Sequence, residues 1–170
     1  MMNLIYYPDE FLTREVKEVN IEKPDIDLVE VKKNMTDIML QHGGIGLSAN
    51  QVGLDAQLFI MGENESNVSL IINPKILQHT KDTVLELEGC LSFPNVYVKV
   101  NRPKEILVEY YDENLESKRT HVKGYTTKVF LHEWDHLHGI TFKDRVSKLK
   151  WDMASKKAKK MEKKYAPSRS

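Results

Sequence analysis

The sequence predicts an α+β fold, in which antiparallel strands and hairpins pack around a central helix that carries an HExxH motif. One further helix is expected near the N-terminus and another at the C-terminus. Three observations support this fold class. Apolar residues recur at helical spacing between positions 28 and 39. Short segments of alternating apolar and polar residues occupy positions 57–122. The segment 129–137 is largely apolar and carries two histidines four residues apart, which suits a buried helix.

The N-terminal helix is predicted from its cap and from an apolar stripe. Asp27 can accept hydrogen bonds from the free backbone N–H groups of a first helical turn. The stripe consists of Leu28, Val31, Met35, Ile38 and Met39. Such a stripe normally packs into the core, and we expect the helix to end near Gly43.

The strands are predicted from alternation and from turn residues. Segments 57–61 and 69–72 are the first two, and Asn73-Pro74 should interrupt the second before it resumes at 75–77. Segment 84–88 alternates apolar and acidic residues, which predicts a half-buried strand. Residues 106–110 and 115–122 are expected to form a hairpin around a turn at 112–114.

Length and composition indicate one compact domain. The chain has 170 residues, of which 41% are hydrophobic and 29% charged, and its formal net charge is zero. We expect residues 1–147 to form the catalytic body and residues 148–170 to form a basic C-terminal helix and tail of the same domain. No segment approaches the roughly 20 apolar residues that a membrane span needs. The N-terminus lacks a signal-peptide pattern, so a cytoplasmic location is expected. We also expect the chain to be a monomer.

The HExxH motif at residues 132–136 is the most informative segment. On a helix, His132 and His136 lie one turn apart on the same face and can bind one metal ion. Glu133 is then placed to exchange a proton with a metal-bound water. Two unrelated helical histidines are the alternative when this motif is taken alone. The apolar flanks and Gly139, which suits a helix end, favour the metal site.

Two further segments carry groups that such a site needs. Cys90 is the only cysteine, and beside two histidine ligands it is a candidate third ligand that leaves a fourth position for water. The glycine-rich segment 44–51 lets backbone approach a ligand closely, although a turn with Gln51 as a satisfied core amide is the alternative. The Gln51 side chain and the Leu91 N–H are suitable donors to an oxyanion on a substrate carbonyl.

Taken together, the three segments resemble the peptide deformylase family. The family motifs are, in outline, G-x-G-x-A-A-x-Q, E-G-C-x-S and H-E-x-D-H, and they correspond to residues 44–51, 88–92 and 132–136. The resemblance extends from about residue 8 to residue 147. It implies a metallohydrolase that acts on a linear amide. The reaction would remove the N-terminal formyl group from formyl-methionyl nascent polypeptides and release formate.

The resemblance also implies a role for each matching position. Cys90, His132 and His136 would bind one divalent ion, Fe²⁺ in the native form, with Zn²⁺, Ni²⁺ or Co²⁺ as substitutes. Glu133 would be the acid and base, and Gln51 with the Leu91 amide would hold the formyl oxygen. The substrate main chain would lie along residues 44–46, which include Gly44. The methionine pocket would be formed by Ile45, Gly46, Glu88, Tyr125, Val129 and His132.

Four positions depart from the family pattern without removing a catalytic group. Ser48 replaces an alanine, and Leu131 stands where glutamine is frequent. Tyr97 stands where many members carry arginine, which leaves the preference beyond methionine open. Lys128 is an unexpected charge in the helix turn that forms the pocket, and its simplest role is to point to water.

The C-terminal segment is strongly basic. From Lys143 onward there are eleven Lys or Arg residues and three acidic ones. We expect a last helix with an apolar face formed by Val146, Leu149, Met153, Met161 and Tyr165. Its charges are either a solvated face or a contact surface for a polyanion such as ribosomal RNA. Two other functions stay open on the sequence, a zincin-type protease and a non-catalytic binder of the ribosome.

Overall fold

The computed structural model describes residues 2–165, with only the backbone of Tyr165, so residues 166–170 of the predicted tail lie outside it. The predicted α+β class with antiparallel strands is confirmed. The described residues form three α-helices, α1 Leu28–Gln41, α2 Tyr125–Leu137 and α3 Lys148–Tyr165. Short 3₁₀ helices occupy Glu10–Thr13, Ala49–Val52 and Phe142–Arg145. No helix in this range is long and apolar enough to cross a membrane.

Seven strands form two antiparallel sheets in the described part of the chain. The strands are β1 Gly46–Ser48, β2 Leu58–Met61, β3 Ser69–His79, β4 Thr83–Cys90, β5 Phe93–Pro103, β6 Glu105–Tyr111 and β7 Ser117–Lys123. The larger sheet has the order β1-β2-β3-β6-β7, and β4 and β5 form a separate pair. Because β1 and β4 each pair with one neighbour, each leaves an edge without a strand partner among the described residues.

Helix α1 forms as its local signals predict. The Asp27 carboxylate accepts hydrogen bonds from the N–H groups of Val29 and Glu30, at 3.0 Å each. Val31, Met35 and Met39 are buried in a core that includes residues of β1, β2 and β3. The helix therefore covers the larger sheet beside the segment that leads into β1.

Strand β3 is irregular at the predicted position. Asn73 has a φ of 48°, and the pairing with β6 shifts between Ile72 and Lys75. The Asn73 side chain donates to the Val19 carbonyl and accepts from the Val19 N–H, at 2.8 Å in each case. These bonds replace the hydrogen bonds between β3 and β6 that are interrupted at this position.

Strand β4 alternates as predicted, but its leucines face outward. Leu85 and Leu87 are both more than half exposed, whereas Glu88 is buried. The inward acid is tolerated because the Arg102 guanidinium of β5 donates to both of its carboxylate oxygens.

Helix α2 begins without a threonine cap, although Thr126 and Thr127 lie in its first turn. Its N-cap is Gly124, without a side-chain cap, and the Thr127 hydroxyl donates instead to the Lys104 carbonyl at 3.2 Å. The predicted helix end is confirmed. Gly139 has a φ of 69° and its N–H donates to the His136 carbonyl. The helix packs against β1, β2, β5 and β7.

The apolar face predicted for the last helix is not the face that α3 packs against the sheet. Val146, just before α3, packs against the core, and the Tyr165 side chain lies outside the described residues. Leu149 is 70% and Met153 65% exposed, while Ala158 is buried. Trp151, Ala154 and Ala158 pack instead in a cluster with Phe93, Val98, Val100 and Phe142. Small side chains let the helix approach β5 closely, and Trp151 fills the space beside Phe93, so larger apolar residues are left on the outer face.

A pair of substitutions in α3 tests this orientation. We expect Ala158→Asp to lower the free energy of unfolding by about 2 kcal/mol or more, because it buries a charge without a partner. Met153→Asp, on the exposed face, should change it by less than about 0.5 kcal/mol. Urea unfolding of both variants measures the difference. Equal losses would contradict the orientation.

Candidate metal centre

Three side chains that can bind metal converge between β4 and α2. Cys90 is the last residue of β4, and His132 and His136 lie one turn apart on α2. The distance from Cys90 Sγ to His136 Nε2 is 3.3 Å, and the two Nε2 atoms are also 3.3 Å apart. All three ligand atoms lie within 4.8 Å of one another. The structure thus brings together the three residues that the sequence singled out as ligands.

The geometry and the chemistry of this cluster fit one divalent ion. Two nitrogens that bind the same tetrahedral ion at about 2.0–2.1 Å lie roughly 3.3–3.4 Å from each other. A thiolate with two imidazoles is a donor set that zinc and ferrous iron both accept. Both imidazoles are buried and Cys90 is half-buried. The residues present therefore suit a metal that is enclosed by protein on most sides.

Glu88 orients the first histidine. The Nδ1 of His132 lies 3.0 Å from Glu88 Oε2, and donation to this carboxylate leaves the Nε2 lone pair free to face the cluster. Burial on its own would raise the pKa of Glu88. The hydrogen bonds from His132 and Arg102 outweigh burial and hold the pKa of Glu88 at about 2. The carboxylate is therefore charged at neutral pH.

A buried chain of ion pairs holds Glu88 in place. Arg102 donates from Nε and Nη2 to Glu88, at 2.9 and 3.0 Å, and from Nη1 to Asp135 at 2.6 Å. Arg145 donates to the same Asp135 oxygen, Oδ2, at 3.0 Å and also to Oδ1. A carboxylate between the two histidines could either orient one of them directly or form an ion pair. The structure shows the ion pair, and Asp135 reaches His132 only through Arg102 and Glu88.

Arg102 and Arg145 are site residues that sequence reasoning missed. Arg102 occupies the same strand face as Val96, Val98 and Val100, which are all buried. Its place in this alternation was a signal that it points inward. Arg145 lies in the 3₁₀ helix after α2 and carried no comparable signal.

Glu133 lies beside the cluster with an unpaired oxygen. Its Oε2 is buried and has no hydrogen-bond partner among the described residues. A Cβ on Gly46 would stand 2.5 Å from Glu133 Oε1, so only glycine leaves room for this carboxyl group. Burial raises the pKa of Glu133 to about 7. A carboxyl group with such a pKa can accept and return a proton near neutral pH.

Gln51 is held with its amide nitrogen toward the thiol. Its Oε1 accepts from the Ser48 N–H at 3.0 Å and from the Ser48 hydroxyl at 2.9 Å. Its Nε2 donates to Cys90 Sγ at 3.4 Å and to the Ser92 hydroxyl at 3.0 Å. Gln51 is therefore a satisfied buried amide that also lies at the metal cluster. The hydroxyl of Ser48, a departure from the family pattern, helps to fix this orientation.

A cavity of about 550 Å³ opens beside these groups. The six residues that we expected to contact the substrate all line it: Gly44, Ile45, Gly46, Glu88, Tyr125 and Val129. Gln51, Cys90, Leu91, His132 and Glu133 also line it. The Leu91 side chain lies against Gly44, where an added Cβ would stand 2.6 Å from Leu91 Cδ1. The glycine-rich residues 44–46 and the segment that contains Cys90 and Leu91 thus form adjoining walls of the cavity.

Together, the α+β fold and a thiolate–imidazole cluster beside a buried glutamate define a hydrolase site. The family model for polypeptide deformylase matches residues 1–152. The peptide deformylase of Borreliella burgdorferi is 38% identical over 144 residues, which cover 84% of this chain and 86% of that protein. The peptide deformylase of Thermotoga maritima is 36% identical over 157 residues, which cover 92% and 94%. The chain therefore belongs to the peptide deformylase family.

Solved structures agree with this assignment. A peptide deformylase from Synechococcus elongatus, in complex with actinonin, aligns with a TM-score of 0.84 and 37% identity, over 93% of this chain and 86% of that one. A peptide deformylase from Legionella pneumophila aligns with a TM-score of 0.86 and 30% identity, over 98% of each chain. The resemblance drawn from the three motifs is confirmed at the level of the family. The zincin-type alternative is excluded by the same result.

Arg102 provides a test of the ion-pair chain. We expect Arg102→Met to lower the free energy of unfolding by about 3–5 kcal/mol, because it leaves Glu88 buried with its main cationic partner removed. Arg145→Met is the matched control. Since Arg145 is partly exposed and Asp135 keeps Arg102, the loss there should be about 1 kcal/mol or less. Urea unfolding at pH 7 measures both, and equal losses would show that Arg102 has no special role.

Proposed function

We propose that this chain hydrolyses the N-terminal formyl group of formyl-methionyl nascent polypeptides and releases formate. Membership of the peptide deformylase family supports the reaction. The observation that carries the proposal for this chain is the convergence of Cys90, His132 and His136 beside a cavity whose wall includes Cys90, His132 and Glu133. A non-catalytic binder would not need a buried glutamate with a free oxygen at this place.

The proposed cofactor is one divalent metal ion held by Cys90, His132 and His136. When bound, such an ion supplies a water of lowered pKa, near 7, and polarises a carbonyl group. We propose Fe²⁺ as the native ion, with Zn²⁺, Ni²⁺ or Co²⁺ as substitutes. The mixed sulfur and nitrogen donor set is compatible with each of them.

Glu133 is the proposed acid and base. Its unpaired Oε2 is free to take a proton from the attacking water and return it to the leaving amine. The Leu91 N–H and the Gln51 Nε2 hydrogen that now points to Cys90 Sγ are the proposed donors to the formyl oxygen as negative charge develops there. The two bonds from Ser48 keep the Gln51 amide from rotating, so this donor is preorganised.

The cavity supports a binding mode for the peptide. The methionine side chain would lie against Ile45, Gly46, Glu88, Tyr125, Val129 and His132, most of which are apolar or present apolar faces. The main chain would follow residues 44–46 like an added strand. Support comes from β1, which pairs with β2 alone in the described part of the chain and so keeps a free edge.

The formate assay tests this function. We expect the metal-loaded chain to release formate from formyl-Met-Ala-Ser. Glu133→Ala should retain the metal, because Glu133 is not a ligand, and lose about 10²-fold or more in kcat/KM. Cys90→Asp is the complementary variant, in which metal content itself should change. A wild-type protein that is as inactive as Glu133→Ala would contradict the proposed function. If metal content and the rate of formate release were unchanged in Cys90→Asp, Cys90 would not be a ligand.

We also propose that residues 1–147 form the catalytic body and that the C-terminal helix belongs to the same domain. The buried contacts of Trp151 and Ala158 with β5 support this. A cytoplasmic monomer stays a prediction.

Ribosome binding through the outer face of α3 is a further proposal. Lysines flank the exposed Leu149 and Met153 on this face. We expect replacement of Lys156, Lys157 and Lys160 by Glu to weaken ribosome co-sedimentation without changing formate release. Equal co-sedimentation of the variant and the wild type with ribosomes would contradict the proposal.

A further inference from the structure

Lys128 is half-buried in the cavity wall and does not simply point to water. It lies one turn before His132 on α2, and its side chain is 15% exposed. Its Nζ donates to the Leu87 carbonyl at 3.3 Å and lies 3.4 Å from Glu86 Oε2. The same Nζ stands 4.1 Å from the centre of the Tyr125 ring. One ammonium group thus contacts three residues on two structural elements.

These contacts join the first turn of α2 to the edge of β4. Leu87, Tyr125 and Lys128 all line the cavity. Tyr125 has little other restraint, since it is 56% exposed and starts a helix whose N-cap makes no side-chain bond. The edge of β4 opposite β5 has no strand partner among the described residues. Lys128 is therefore placed to hold both parts of this wall at a set separation.

The wall has two ends that are held with different strength. At Glu88, the carboxylate is fixed by His132 and by two bonds from the buried Arg102. At Glu86 and Leu87, β4 is paired with β5, and its link to α2 consists of an ion pair between side chains that are 15% and 38% exposed, a single carbonyl contact and a cation–π contact. Contacts of the second kind are individually weak. Loss of Lys128 should therefore loosen the outer end and leave the metal ligands in place.

We propose that Lys128 is a positioning residue that sets the width of the pocket for the first side chain of the substrate. With Lys128 in place, Leu87 and Tyr125 form a narrow wall that suits an unbranched chain such as methionine. Without it, both residues can move outward and admit a bulkier side chain. This inference rests on the proposed deformylase function.

The test compares two substrates that differ in the first residue. Lys128→Met keeps the aliphatic stem and removes the charge. We expect its KM for formyl-Met-Ala-Ser to rise about three- to tenfold, with kcat within about twofold. The ratio of kcat/KM for formyl-Met-Ala-Ser to that for formyl-Phe-Ala-Ser should fall by a similar factor. A role limited to global stability would lower both substrates alike and leave this ratio unchanged.

Three further variants sharpen the result. Lys128→Arg keeps the charge and the donors, so it should preserve the wild-type ratio. Glu86→Gln removes one of the three contacts and should shift the ratio in the same direction as Lys128→Met, by less. Lys123→Met is the control for loss of one lysine charge, because Lys123 forms a more exposed ion pair with Glu105 and does not line this cavity. It should leave the ratio at the wild-type value.

The outcomes distinguish a failure of the proposed function from a failure of the inference about Lys128. No formate release by the metal-loaded wild type would overturn the proposed function, and this inference with it. An active wild type whose preference is unchanged in both Lys128→Met and Glu86→Gln would overturn the inference alone. An equal shift in Lys123→Met would also overturn it, since the effect would then reflect charge in general.

Discussion

The buried guanidinium of Arg102 is the contact on which the arrangement of this site depends. It binds Glu88, two residues before Cys90 on β4, and Asp135, which lies between His132 and His136 on α2. One cation therefore couples the two elements that supply the three candidate ligands. A buried charge needs paired and well-oriented partners, so the elements cannot slide without breaking strong contacts. The same requirement explains why β4 turns Glu88 inward and leaves Leu85 and Leu87 toward solvent.

Local signals in the sequence predicted the parts of the fold that local contacts determine. Asp27 caps α1 through neighbouring N–H groups, and Gly139 ends α2 because its positive φ suits glycine. The two histidines needed only helical geometry to lie on one face. The approach of Cys90 to them depends on how β4 packs against α2, and the family resemblance, not spacing, implied it.

Other features depended on tertiary context that no local pattern carries. Alternation shows that β4 has two faces, but Arg102 on another strand decides which one is buried. In α3, Leu149 and Met153 form the more hydrophobic stripe, yet close packing on β5 selects the stripe with Trp151, Ala154 and Ala158. Lys128 looked like a solvated charge because its partners Glu86 and Leu87 are distant in sequence. In each case the deciding partner lies on another element.

The two kinds of contact around the cavity separate catalytic geometry from side-chain preference. The three candidate metal ligands are tied to buried ion pairs, where removing one partner lowers the free energy of unfolding by about 3–5 kcal/mol. The outer wall at Glu86, Leu87 and Tyr125 is tied to Lys128, whose three contacts are each worth roughly 0–1 kcal/mol. Changes at the wall would therefore move Leu87 and Tyr125 while the three candidate ligands keep their positions. Because His132 and Lys128 lie one turn apart on α2, a single helix carries both the strongly held and the weakly held parts of the site.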